Sequence, residues 1–201
     1  MKSILNIGAG KIDPIGLDNN KEYFLVNLDL GYQSSSVIKD IEEMYGRWKS
    51  GDYEEKFVVF HAGDVFKFLE TCRIRFDKIV LYRFLEHIRF TDVLYLIYLL
   101  SASLKEEGMV EVIVPDYKLL ADMLLKEKTS NKNFEKNNII LTTELLNDPG
   151  SPHASIWTTD RAKYYFEYEK RFKVGYCSTP YSFDGRNIYL YFLAKKEKGI
   201  L

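Results

Sequence analysis

Two groups of residues in this chain have the types and spacing to do chemistry. The first is a glycine turn, Gly8-Ala9-Gly10, with a carboxylate, Asp29, downstream. The second is two separate histidines: His153, whose ordinary pKa near neutrality would let it take a proton from an acceptor hydroxyl or amine, and His87, in a Glu86-His87 sequence that either serves the site or orients the following helix. Gly8 and Gly10 carry no Cβ, so the backbone there can turn sharply and approach a ligand closely. A carboxylate about 20 residues beyond the first glycine is where a doubly wound sheet sets an acceptor for ribose hydroxyls. That pairing predicts a nucleoside ligand.

The phosphate-binding parts are missing. A dinucleotide fingerprint needs a third small residue where this chain has Asp13, whose charge would face the phosphates; Pro14 also shortens any helix beginning there. No Gly-Lys-Ser/Thr follows, so there is no P-loop. A nucleoside without phosphates suits the turn, and S-adenosylmethionine is the common one.

The elements needed to hold these groups can be read in order. Ile4-Leu5-Asn6-Ile7 and Tyr23–Leu28 are short apolar runs of buried-strand type, as are Phe57–Phe60, Phe76–Tyr82 and Met109–Val114. Between them lie helical patterns at about Val37–Lys49, with Ser36 as its cap and Gly51 ending it, at 65–72, and at Thr91–Lys105 with Gly108 as its C-cap. A helix at about 118–127 follows Pro115-Asp116-Tyr117. Thr158 is a natural N-cap for a helix over Thr159–Arg171, with Trp157 as a staple. Phe172–Ser178 and Asn187–Lys195 alternate as two strands of a hairpin around a Pro180/Gly185 turn. Residues 128–152, rich in Lys and Asn, interrupt the pattern and read either as a lid over an acceptor or as a surface insertion.

Composition narrows the class. A length of 201 residues fits a single domain spanning 1–201. With 28 basic against 29 acidic residues and a net charge of −1, the chain offers no electrostatic case for nucleic acid as partner. Cys72 and Cys177 are too few for a disulfide framework or a zinc site, so a cytoplasmic location is the expectation. The first strand begins at about residue 3, which leaves no signal peptide, and no apolar run reaches membrane-spanning length.

Leu5-Asn6-Ile7-Gly8-Ala9-Gly10, then Asn27-Leu28-Asp29, Gly63-Asp64, Phe76-Asp77-Lys78-Ile79-Val80 and Leu85-Glu86-His87-Ile88 together resemble the class I S-adenosylmethionine-dependent methyltransferases. More narrowly, the chain is similar to the small predicted-methyltransferase group with a Leu-Asn-Leu-Gly-Cys-Gly type opening. The likeness extends over residues 3–115 and, more loosely, 153–196, where His153-Ala154-Ser155-Ile156-Trp157-Thr158 precedes the last helix. It implies an α/β Rossmann-like fold, with a seven-stranded, mostly parallel sheet, helices on both faces and a C-terminal antiparallel hairpin. It also implies S-adenosylmethionine as cofactor, held by Asn6, Gly8, Ala9, Gly10, Asp29, Leu30, Gly63, Asp64, Val65, Tyr82 and Arg83. In the family the acidic residue matching Asp64 accepts a hydrogen bond from the adenine amino group; an N-cap for the next helix is the alternative role.

The implied activity is methyl transfer to an O or N acceptor, with a small molecule as partner and no membrane. His153 and His87 are the candidate catalytic groups, although a loop histidine bonded to backbone accounts for His153 equally. Asn-Pro-Pro-Tyr and Pro-Cys motifs of nucleic-acid methyltransferases are absent after the fourth strand, where this chain has Tyr82-Arg83-Phe84-Leu85. Two other readings stay open: a methyltransferase fold that has lost catalysis and serves as a binding protein, and a nucleic-acid methyltransferase.

Overall fold

Strands β1 (Lys2–Ile7) and β2 (Tyr23–Leu28) are apolar because both of their faces are covered: Ile4, Leu5, Ile7, Phe24, Leu25, Val26 and Leu28 are all buried. The computed structural model describes residues 2–8, 22–29, 36–52, 56–126, 153–183 and 186–199. Within them β3 (Lys56–His61), β4 (Phe76–Tyr82), β5 (Leu104–Pro115), β6 (Phe172–Phe183) and β7 (Arg186–Lys196) complete one seven-stranded sheet. Its order is β3-β2-β1-β4-β5-β7-β6. The strands from β3 to β5 run parallel, and β7 enters antiparallel between β5 and β6.

Helices cover both faces, as expected. Ile41 of α1 (Ile38–Lys49), Phe68 of α2 (Val65–Thr71), Leu96 and Leu100 of α3 (Phe90–Ser103), and Phe166 of α5 (Thr159–Glu167) share one core with the sheet. On the opposite face Leu120 of α4 (Tyr117–Lys126) packs with Val80, Ile113 and Tyr189. Strand order reverses direction between β1 and β4. That switch point opens a crevice at the carboxyl ends of the strands, where ligands bind in folds of this kind.

Several boundaries differ from the sequence reading, each for a physical reason. Ser36 does not cap α1: Val37 holds that position without a side-chain bond. Ser36 is tied to β3 instead, its N–H donating to Phe60 O (3.0 Å) and its carbonyl bonded by His61 Nδ1 (2.7 Å). Gly108 is not a C-cap, because α3 ends at Ser103 and passes directly into β5 at Leu104. The irregularity foreseen at the glycine lies inside the strand. Pairing with β4 jumps between Phe76↔Leu104 and Lys78↔Met109, and Glu107 takes the left-handed conformation there (φ 61°). Helix α5 stops at Glu167, and Tyr168–Lys170 is a 3-10 turn rather than a continuation to Arg171. Both hairpin strands run longer than expected. The crossover with Asp13 and Pro14, the 128–152 segment and Gly185 lie outside the described residues.

Candidate active site

At the switch point four strand ends surround a cavity of about 420 Å³. Ile7 and Gly8 from β1, Leu28 and Asp29 from β2, Gly63 to Phe66 after β3, and Arg83 and Phe84 after β4 line it, with His87 and Ile88 closing one side. Its volume falls among small-molecule sites, which run about 300–1,000 Å³.

The floor depends on Gly8. Its φ is +69°, and a Cβ added there would stand 3.0 Å from Cβ of Phe84. Both the backbone turn and the close passage of β1 over Phe84 therefore require glycine. Gly8 N–H donates to Leu28 O (2.9 Å), which ties the turn to the end of β2, and Asp29 N–H donates to His61 O (3.1 Å), which ties that end to β3. Gly63 is constrained on the far wall: an added Cβ would meet His61 Nε2 at 2.7 Å. Asp64 caps α2, its Oδ1 accepting from Lys67 N–H (2.9 Å), so the carboxylate is fixed at the cavity rim with its second oxygen outside the cap.

Arg83 carries the one backbone outlier of the lining. Its φ of 52° is unusual for a residue with a side chain, and its N–H is held by Ile113 O (2.8 Å). That kink ends β4 and sends the chain into the single-turn 3-10 helix Leu85–His87. Within it Glu86 is wholly buried, with Arg83 Nε 3.8 Å from its Oε1. Arg83 also stacks over the Tyr189 ring at 5.8 Å.

Onto this turn the segment 153–158 is clamped by backbone. Glu86 O accepts from Ala154 N–H (2.7 Å) and Ser155 N–H (2.9 Å). Leu85 O accepts from Ser155 Oγ (3.0 Å) and from Nε1 of the fully buried Trp157 (3.3 Å). On the other side Tyr117 N–H donates to Trp157 O (3.1 Å). Trp157 thus pins the loop as expected, against the Phe90 and Tyr165 rings. The clamp sets the His153 ring edge-to-face against His87, centroids 5.0 Å apart, and a hydrogen bond of 2.6 Å joins His153 Nδ1 to the Tyr117 hydroxyl.

The expected site residues divide accordingly. Gly8, Asp29, Gly63, Asp64, Val65, Arg83 and His87 line the cavity, and His153 stands behind His87. Asn6 and Tyr82 turn their side chains elsewhere. Asn6 Nδ2 donates to Asn27 Oδ1 (2.9 Å) within the sheet, and the Tyr82 hydroxyl donates to Glu111 Oε1 (2.5 Å) on the far face. Burial and the Glu111 carboxylate both push the Tyr82 phenol far above its usual range, so it stays protonated. Ala9, Gly10 and Leu30 lie outside the described residues.

Sequence reasoning missed Tyr117 and the full burial of Glu86. Only Tyr117 carried a signal, following an aspartate that could start a helix. Asp116 does start α4, accepting from Lys118 N–H (3.0 Å) and Leu119 N–H (3.3 Å), and its other oxygen takes a hydrogen bond from Thr179 Oγ1.

No family model matches the chain, and no curated protein matches it in sequence. Solved structures do match in fold. A SAM-dependent methyltransferase from Methanosarcina mazei is 17% identical, with 97% of this chain and 92% of that one covered at a TM-score of 0.56. The Burkholderia thailandensis 1,6-didemethyltoxoflavin-N1-methyltransferase, bound to 1,6-didemethyltoxoflavin and S-adenosylhomocysteine, is 15% identical over 97% and 71% of the two chains, TM-score 0.56. The N-methyltransferase NodS of Bradyrhizobium japonicum, in complex with S-adenosylhomocysteine, is 10% identical over 98% and 79%, TM-score 0.53. Strand order, reversed hairpin and these likenesses agree: the chain has the Rossmann-like fold of the class I methyltransferases.

Proposed function

We propose that this protein is an S-adenosylmethionine-dependent methyltransferase acting on an O or N of a small molecule. The observation that carries the reading is the placement of Gly8, Asp29 and Asp64 around one cavity at the switch point of the sheet. Solved proteins of the same fold bind S-adenosylhomocysteine, which supports the choice of nucleoside.

The residues fit that cofactor. The Cβ-free floor at Gly8 admits it, Asp29 accepts from the ribose hydroxyls, and the Asp64 oxygen outside the helix cap accepts from the adenine amino group. Val65 offers the ring its backbone. Bound there, S-adenosylmethionine supplies a methyl group already activated on a positive sulfur. What remains for the protein is positioning and exclusion of water, worth about 7–11 kcal/mol when two reactants are well aligned. Phe84 and Ile88 form the apolar wall of the pocket, Arg83 and His87 border its acceptor side, and His87, with His153 behind it, is the candidate proton acceptor.

The experiment is calorimetric binding of S-adenosylmethionine to the wild type and to Asp29→Ala. Micromolar binding weakened at least tenfold by the substitution is the expected result. A folded wild type that binds no cofactor would overturn the reading and favour a binding protein built on this fold.

A further inference from the structure

We propose that Glu86, His87 and His153 form a binding site for one divalent transition-metal ion of borderline softness, Zn²⁺ or its neighbours. Each of the three offers a ligand atom, and these atoms all lie within 4.8 Å of one another. Two imidazoles and one carboxylate are a donor set typical of such ions, and three protein ligands leave a position open for a further group.

Three independent features favour an ion over a casual cluster. The set is assembled by design of the backbone: paired N–H donations to Glu86 O (2.7 and 2.9 Å) hold His153 opposite His87. An outer partner is in place, since the Tyr117 hydroxyl lies 2.6 Å from His153 Nδ1. With Nδ1–H donating to that oxygen, Nε2 keeps its lone pair for an ion, the arrangement that orients most metal-bound histidines. Finally, a carboxylate that is 0% exposed needs positive charge nearby, and an ion would add to what Arg83 supplies at 3.8 Å. Ligand atoms around tetrahedral zinc sit about 3.3 Å apart, given Zn–N lengths of about 2.0–2.1 Å. The ligand atoms, at most 4.8 Å apart without an ion, would draw together on one.

His87 is shared between this cluster and the cavity lining, so the ion would stand at the acceptor end of the pocket. There its open position suits an acceptor oxygen or nitrogen. That role rests on the methyltransferase reading; ion binding does not.

The test is calorimetric titration of the full chain with Zn²⁺, and its visible spectrum with Co²⁺. One Zn²⁺ per chain at micromolar affinity or better is expected. His87→Ala and His153→Ala should each weaken it at least tenfold while His61 remains in both, and Tyr117→Phe should cost about tenfold through the lost outer partner. No binding by the wild type, or binding by both histidine variants as tight as the wild type's, overturns the proposal. Should a variant fail to fold, the wild-type Co²⁺ spectrum decides: intense bands of four- or five-coordinate cobalt support the site, and the weak spectrum of the hydrated ion refutes it. S-adenosylmethionine is titrated in parallel. Zinc binding without cofactor binding rejects the methyltransferase reading alone, and the reverse result rejects the metal site alone.

Discussion

Gly8 and Phe84 meet so closely that a Cβ on the glycine would lie 3.0 Å from both Cβ and Cδ2 of the phenylalanine, so one of them would have to give way. Gly8→Ala therefore meets two penalties, the clash and a side chain at φ +69°, which together cost about 1–3 kcal/mol. The variant should melt lower in a thermal scan and bind S-adenosylmethionine at least tenfold more weakly. Trimming the partner in the double variant Gly8→Ala/Phe84→Ala removes only the Cδ2 contact, since alanine keeps its Cβ, and leaves the backbone penalty in place, so binding stays impaired.

Asp64 has two oxygens and, on the proposed function, two tasks. Asn caps helices as well as Asp does, so Asp64→Asn should keep its oxygen on Lys67 N–H and leave stability within about 0.5 kcal/mol. Its remaining atom becomes an amide donor facing an adenine amino donor. Cofactor affinity should fall roughly tenfold while the melting temperature holds, a separation that calorimetry and a thermal scan read directly. Unchanged affinity would confine Asp64 to capping.

Asp77 should make stability depend on acid pH. Burial alone would raise its carboxyl, but hydrogen bonds from Lys105 Nζ (2.7 Å), Ser3 N–H (2.7 Å) and Ser3 Oγ (2.9 Å) outweigh that and hold it below the ordinary value. A lowered carboxylate contributes stability above its unfolded pKa, and the contribution is lost as pH falls through the folded one. Lys105→Met should thus cost about 1 kcal/mol at pH 7, kept small because both side chains are partly solvated. In acid below the folded value the difference should shrink. Urea unfolding of wild type and variant across that range is the measurement.

The two thiols should react in a fixed order. Burial pushes Cys72 up to about 11, which leaves about one thiolate in a thousand at pH 8. Cys177 is also raised, by burial offset through Thr159, but it is half-exposed. A thiol reagent on the native protein should label Cys177 first, and Cys72 only on unfolding.

The strands were legible because parallel strands buried on both faces are written as short apolar runs, and Leu5, Val26 and Ile79 sit where that rule puts them. Asp64 and Thr158 were legible as caps because capping is local chemistry, and both bond the backbone N–H three residues on. Gly108 misled because a glycine after an apolar helix resembles a C-cap, while the real turn fell to Glu107 inside β5. The convergence of Glu86, His87 and His153 could not be read in advance. It is made by backbone donors at Ala154 and Ser155 reaching one carbonyl, which no side-chain pattern announces. Tyr117 was hidden for the same reason, since its partner comes from a different part of the chain.

The insertion of β7 between β5 and β6 has a consequence for biosynthesis. Residues 186–196 leave the ribosome after the six other strands of this sheet, yet among the described residues they alone join β6 to the rest of it. Until they emerge, β5 is an open edge displaying the backbone of Met109–Pro115, and β6 has no strand to pair with. The nascent chain therefore carries an unpaired edge on β5 until β7 emerges. A stalled or prematurely terminated message would release not a slightly shortened protein but one prone to self-association, which gives quality-control machinery a reason to act on it.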